Sequence, residues 1–121
     1  MNKEYKGFSK IEVEGNVEEI MNFYSNSSLY FDITININNY NEYENHKNIF
    51  NFRFKIDENF HYYNNLKEIE KNDFIKIKLL IEYIGYQIEN HNIKSEYILK
   101  SIFKGDLIEI EKIQKETNKN D

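Results

Sequence analysis

The chain has 121 residues, a formal charge of −5 and no Cys, Pro or Trp. That length suits one hydrophobic core rather than two. Without thiols there are no disulfides or thiolate metal sites, and the excess of acid argues against a non-specific grip on duplex DNA, which neutralises many phosphates at once. No apolar run reaches membrane-spanning length and Met1–Lys10 lacks an apolar signal core, so the expectation is a cytoplasmic chain with no membrane partner. Aromatic residues make up 16% of the chain, enough apolar surface to fold around.

Alternation with period two dominates the pattern. In the first strand candidate Ile11, Val13 and Val17 share a side, and Gly15 interrupts them as a bulge or barrel corner would. Phe31, Ile33, Ile35 and Ile37 then alternate with Asp32, Thr34 and Asn36. After a polar loop over 38–48, Phe50, Phe52, Phe54 and Ile56 alternate with Asn51, Arg53 and Lys55. Each run predicts a strand with one dry and one wet face. From Asp57 to Lys71 the spacing turns helical through Phe60, Tyr63, Leu66 and Ile69, with Asp57 as N-cap. Lys71-Asn72-Asp73 breaks that helix, since Asn tolerates the left-handed conformation. A fourth strand carries Ile75, Ile77, Leu79 and Ile81 inward. Gly85 to Glu96 reads as a second polar loop, and a fifth strand starts near Tyr97 and runs through Ile102. Leu107 to Lys115 fits strand or helix. The expected organisation is one domain over 1–115 and a short tail over 116–121.

The order β-β-β-α-β-β makes the expected fold class all-β with one helix, a five-stranded OB-type barrel. In that fold the strand 2–3 face and the 1–2 and 4–5 loops bind oligonucleotides or oligosaccharides. An open α+β sheet with one helix packed on it is the alternative. The segment NIFNFRFKIDENFHYYNNLKEIEKNDFIKIKLLIEY resembles the bacterial and phage single-stranded DNA-binding proteins. An aromatic-led third strand runs into a helix, a tight turn follows (here with Asn72 where the family usually has Gly), and a β-branched fourth strand comes next. Tyr86 corresponds to an aromatic early in the family's 4–5 loop and Tyr97 to a Tyr opening strand five. The resemblance extends over residues 11–113. It implies single-stranded DNA, or RNA, as the partner, and a homo-oligomer (dimer or tetramer) formed through exposed strand edges.

Nothing in the sequence calls for a cofactor, a metal or a catalytic role. His46, His61 and His91 lie in separate segments, and none stands at i and i+4 with another, the spacing that places two ligands on one helix face. Glu18-Glu19 and Glu109 with Glu111 read as solvated strand positions. The glycines are scattered, and no Ser sits in a nucleophile elbow.

Single-strand binders need flat side chains for bases and cations along the phosphates. The wet side of the third strand offers Arg53 and Lys55, that of the fourth Lys76 and Lys78, and the second adds Tyr30 and Thr34. The same lysines also serve as solvated positions that keep a sheet from aggregating. Aromatics in predicted loops are the sharper signal: Phe23 and Tyr24 in the 1–2 loop, Tyr40 and Tyr43 in the 2–3 loop, Tyr86 in the 4–5 loop. Such side chains fold back on the core or meet a ligand. The expected nucleic-acid-binding set is therefore Arg53, Lys55, Tyr30, Tyr24, Tyr86, Lys76 and Lys78. Two rivals use the same fold: a protein-interaction module whose acidic surface attracts a basic, nucleic-acid-handling partner, and an oligosaccharide-binding barrel.

Overall fold

Alternating apolar side chains on five strands leave each strand one face to bury, and a barrel buries all of them on a common axis. The computed structural model describes residues 7–37, 46–57, 59–60, 62–91 and 96–113. Its elements are β1 (Lys10–Ser25), β2 (Ser28–Asn36), β3 (His46–Ile56), α1 (Tyr63–Lys67), β4 (Phe74–His91) and β5 (Glu96–Lys112). They close a barrel in the order β1-β2-β3-β5-β4, and the β3–β5 pair is the one parallel contact among the described strands. This is the five-stranded OB-type barrel that the element order implies, with its helix between the third and fourth strands.

Closure depends on β1 serving two neighbours. Lys10–Asn16 pairs with β4 and Asn16–Ser25 with β2. Gly15 sits at the changeover. A Cβ there would lie 2.6 Å from Ile35 Cγ2 and 2.7 Å from the Asn36 carbonyl oxygen, so β2 crosses β1 where no side chain intervenes. A register shift between Val17 and Glu19 completes the bend.

The core follows the alternation. Val17, Ile33, Ile35, Phe52, Phe54, Ile75, Ile77, Leu79 and Ile110 are fully buried, and Phe50 packs against them from the rim. Phe52 stacks on Phe103 with ring centres 5.5 Å apart. Beneath the barrel, Leu66 and Ile69 are buried too, and Phe60 and Tyr63 pack on the same cluster.

Three expectations from the sequence change. The helix expected over Asp57–Lys71 shrinks to the five residues of α1. Asp57 does not cap it; its Oδ1 accepts the Asn59 backbone N–H at 2.7 Å, and the Phe60 N–H bonds to the Asp57 carbonyl, so the chain turns before it coils. The apolar spacing still points inward because consecutive tight turns mimic helical periodicity over so short a span. Second, Phe23 and Tyr24 belong to β1 rather than a loop. The 1–2 connection is only Asn26 and Ser27, both at positive φ (50° and 64°), as a tight hairpin turn requires. Third, Gly85 to His91 continues β4 and Glu96 to Lys112 is strand throughout. Residues 85–91 of the expected polar loop therefore extend a long β4–β5 arm, and the ambiguous segment is strand to residue 112.

The turn at Lys71-Asn72-Asp73 does not end the helix, which has already stopped at Lys67, but Asn72 takes the left-handed conformation expected of it. Asn72 has φ 77°, its N–H bonds to the Val17 carbonyl at 2.8 Å, and the Val17 N–H returns to the Asp73 carbonyl at 2.8 Å. That exchange fastens the start of β4 to the bend of β1. Tyr40, Tyr43, His61 and the tail over 116–121 lie outside the described residues.

Candidate nucleic-acid interface

The outer face of β1, β2, β3 and β5 is assembled row by row from strand register. One row pairs Phe23 with Tyr30 and Tyr30 with Lys55. The next runs Met21, Asp32, Arg53, Lys104 and Tyr83, and a third holds Glu19, Thr34, Asn51 and Ile102. Residues far apart in sequence thus share one surface.

At its centre is a polar lock rather than a solvated strip. Asp32, Thr34 and Asn51, which alternation assigns to water, are only 9%, 9% and 5% exposed. The Asn51 amide donates to Asp32 Oδ1 and to Thr34 Oγ1. Arg53 donates to Asp32 Oδ2 through Nη2 at 2.7 Å and through Nε at 3.2 Å. A cleft of about 90 Å³ opens beside this lock, lined by Glu19, Met21, Asp32, Thr34, Asn51 and Lys100.

The lock settles what Arg53 can do. Its charge is met by a largely buried carboxylate, so it adds little net positive potential for a phosphate. Its plane is fixed instead: the guanidinium lies over the Phe23 ring, 5.2 Å from the centre. Phe23 in turn stacks on Tyr30, ring centres 5.5 Å apart and planes 12° from parallel. Arg53, Phe23 and Tyr30 therefore form one half-exposed platform of stacked flat groups. Lys55 stands exposed beside Tyr30, and Lys104 sits 4.9 Å from the centre of the Tyr83 ring. Among the described residues no carboxylate pairs with Lys55, Lys100 or Lys104.

Lys76 and Lys78 sit elsewhere. By register they lie between Glu12 and Glu14 of β1 and Glu109 and Glu111 of β5, on the sector where β1 pairs with β4. Lys76 Nζ is 3.4 Å from Glu109, 3.6 Å from Glu111 and 3.7 Å from Glu12. The hydrogen bond and charge of Glu109, helped by Glu111 and Glu12, raise its pKa above the ordinary lysine value. Acid outweighs base on that face.

Tyr24 and Tyr86 also leave the platform. Tyr24, 68% exposed, faces the other way from Phe23 along β1. It lines a groove of about 580 Å³ together with Leu29, Lys55, Ile56 and Phe60. Tyr86 lies on the arm face of Ile84 and Ile88, opposite the side that carries Tyr83. The structure thus brings Tyr30, Arg53 and Lys55 together, sets Tyr24 at the margin through Lys55, and separates Tyr86, Lys76 and Lys78 from them. Sequence reasoning left Phe23, Lys100, Lys104 and the Asp32–Asn51 lock out of the site. The turn residues Asn26-Ser27 between two aromatic-bearing runs were the available signal for the Phe23–Tyr30 pair.

No family model matches the sequence, and no curated protein matches it. Among solved structures the chain is similar to a small single-stranded DNA-binding protein from Streptomyces coelicolor, with 10% identity and a TM-score of 0.49, over 89% of this chain and 96% of that one.

Proposed function

We propose that the protein binds single-stranded nucleic acid along the outer face of β1, β2, β3 and β5 without catalysing a reaction on it. The observation that carries this reading is the platform of Tyr30, Phe23 and Arg53, held flat and half-exposed by the buried Asp32. Bases stack on it, and Lys55, Lys100 and Lys104 meet the backbone. Stacking supplies about 1–3 kcal/mol per base, and few phosphate contacts are needed.

Addition of oligo(dT) is expected to quench the intrinsic tyrosine fluorescence. With about three lysines engaged, log K should fall against log salt with a slope of only about −2. Phe23→Ala and Tyr30→Ala should each weaken binding roughly 5- to 150-fold, the range that corresponds to one lost stacking contact. Lys76→Gln should leave affinity unchanged. Absence of any binding at low salt would remove the proposal.

A second reading, a protein-interaction module for a basic partner, is favoured by one observation: Glu12, Glu14, Glu109 and Glu111 crowd the opposite sector around Lys76. It expects one stoichiometric protein partner, released by salt, and no oligonucleotide shift.

A further inference from the structure

Beside the platform, opposite charges share a cleft without meeting. Glu19 of β1 and Lys100 of β5 both line the opening of about 90 Å³. Among the described residues no ion pair or hydrogen bond joins them. A carboxylate and an ammonium on one small opening suit a guest that brings donors to the first and an acceptor to the second.

The most buried lining residue adds a second acceptor. Asn51 is 5% exposed, and its amide N–H groups are committed to Asp32 Oδ1 and Thr34 Oγ1. Its Oδ1 accepts nothing among the described residues. No fully buried side-chain N or O among them lacks a partner, so this oxygen is open to the cleft. An accessible carbonyl oxygen on so buried an amide is a binding position for an N–H. Asp32 itself is already taken up by Asn51 and Arg53.

The opening thus offers acceptors at Glu19 and Asn51 and a cation at Lys100. Among the nucleobases only guanine carries two neighbouring donors, N1–H and the N2 amine, beside an acceptor, O6. Thymine and uracil set one N–H between two carbonyls. Cytosine has one amine beside two acceptors, and adenine one amine beside one ring nitrogen. Each of these leaves Glu19 or the Asn51 oxygen facing another acceptor or nothing, which selects against it.

We propose that this cleft reads guanine in the bound strand. N1–H and the N2 amine donate to Glu19 and Asn51 Oδ1, and Lys100 donates to O6 at that position in place of a phosphate. The ring lies outside against Met21, which is 47% exposed on the same lining, a polarizable thioether suited to an aromatic face. The preference rests on the single-strand reading and adds to it: bases elsewhere stack without discrimination, while one is read on its Watson–Crick edge.

Fluorescence anisotropy of end-labelled oligo(dT), unsubstituted or carrying one guanine or one hypoxanthine, tests this on the full chain. The guanine strand should bind roughly tenfold more tightly than oligo(dT), the discrimination a good bidentate base contact supplies. The hypoxanthine strand, which lacks the N2 amine, should fall between them. Glu19→Gln should compress the guanine-to-thymine ratio to about twofold, because an amide offers one neutral acceptor where the carboxylate offers two charged ones. Lys100→Gln should narrow the same ratio through O6. Equal affinity for the guanine and thymine strands, with binding intact, overturns the preference and leaves the single-strand reading standing. Loss of binding to every strand at low salt removes both. A guanine preference that survives both substitutions unchanged overturns the proposed edge contacts.

Discussion

Phe52→Ala is expected to remove most of the protein's stability. Phe52 is completely buried at the middle of β3, between β2 and β5, stacked on Phe103 and edge-on to Phe50 at 6.4 Å. Both neighbouring strands hold it, so the walls of the cavity it leaves cannot collapse freely. A cost of about 3–5 kcal/mol is expected for such a deletion, against a total of about 5–15 kcal/mol for a domain of this kind. Urea unfolding should show a lower midpoint at unchanged slope. Lys55→Ala, three residues along the same strand on the wet face, should stay within about 0.5 kcal/mol of the unmodified chain. Equal midpoints for the two variants would contradict the register of β3.

Gly105→Ala should be nearly as damaging for a different reason. Gly105 pairs with Phe54 on one side and Ile81 on the other, where β4 shifts register between Ile81 and Tyr83. A Cβ there would overlap the Leu80 carbonyl oxygen and come within 2.9 Å of the Leu80 carbonyl carbon and 3.1 Å of the Glu82 nitrogen. All three are main-chain atoms, which no side-chain rotation can move aside. The methyl group must push β4 off β5 where the arm leaves the barrel. Overpacking of this kind costs about 1–3 kcal/mol or more, and a fall of roughly 10 °C in melting temperature is expected. Gly7→Ala, with nothing within 4 Å of its Cβ, should melt with the unmodified chain.

Much of this architecture was legible from alternation. The inward sets Ile33-Ile35, Phe52-Phe54 and Ile75-Ile77-Leu79 follow because a residue slip would turn a whole strand inside out. Alternation reports which side a residue faces but not what covers it. Asp32, Thr34 and Asn51 face outward as read and are nonetheless buried, because these short side chains bond to one another and sit among the longer side chains of Glu19, Met21, Arg53 and Lys100. That hidden carboxylate changed the meaning of Arg53 from a phosphate contact to a fixed plane. The arm was missed because Gly85, Gln87 and Asn90 gave it a loop's composition, while Ile84, Tyr86 and Ile88 kept a strand's period. Lys76 and Lys78 were legible as outward cations; the acids that neutralise Lys76 come from β1 and β5, which only the closed topology brings alongside.

The parallel β3–β5 seam has a kinetic consequence. His46 lies beside Tyr97 and Phe54 beside Gly105, so the whole helix and fourth strand must be threaded before those partners can meet. The β1–β2 and β4–β5 pairs join strands adjacent in the chain, whereas this seam repays its loop entropy only at the end. Refolding from urea should accordingly take milliseconds to seconds, and substitutions along the seam should accelerate unfolding more than they slow folding.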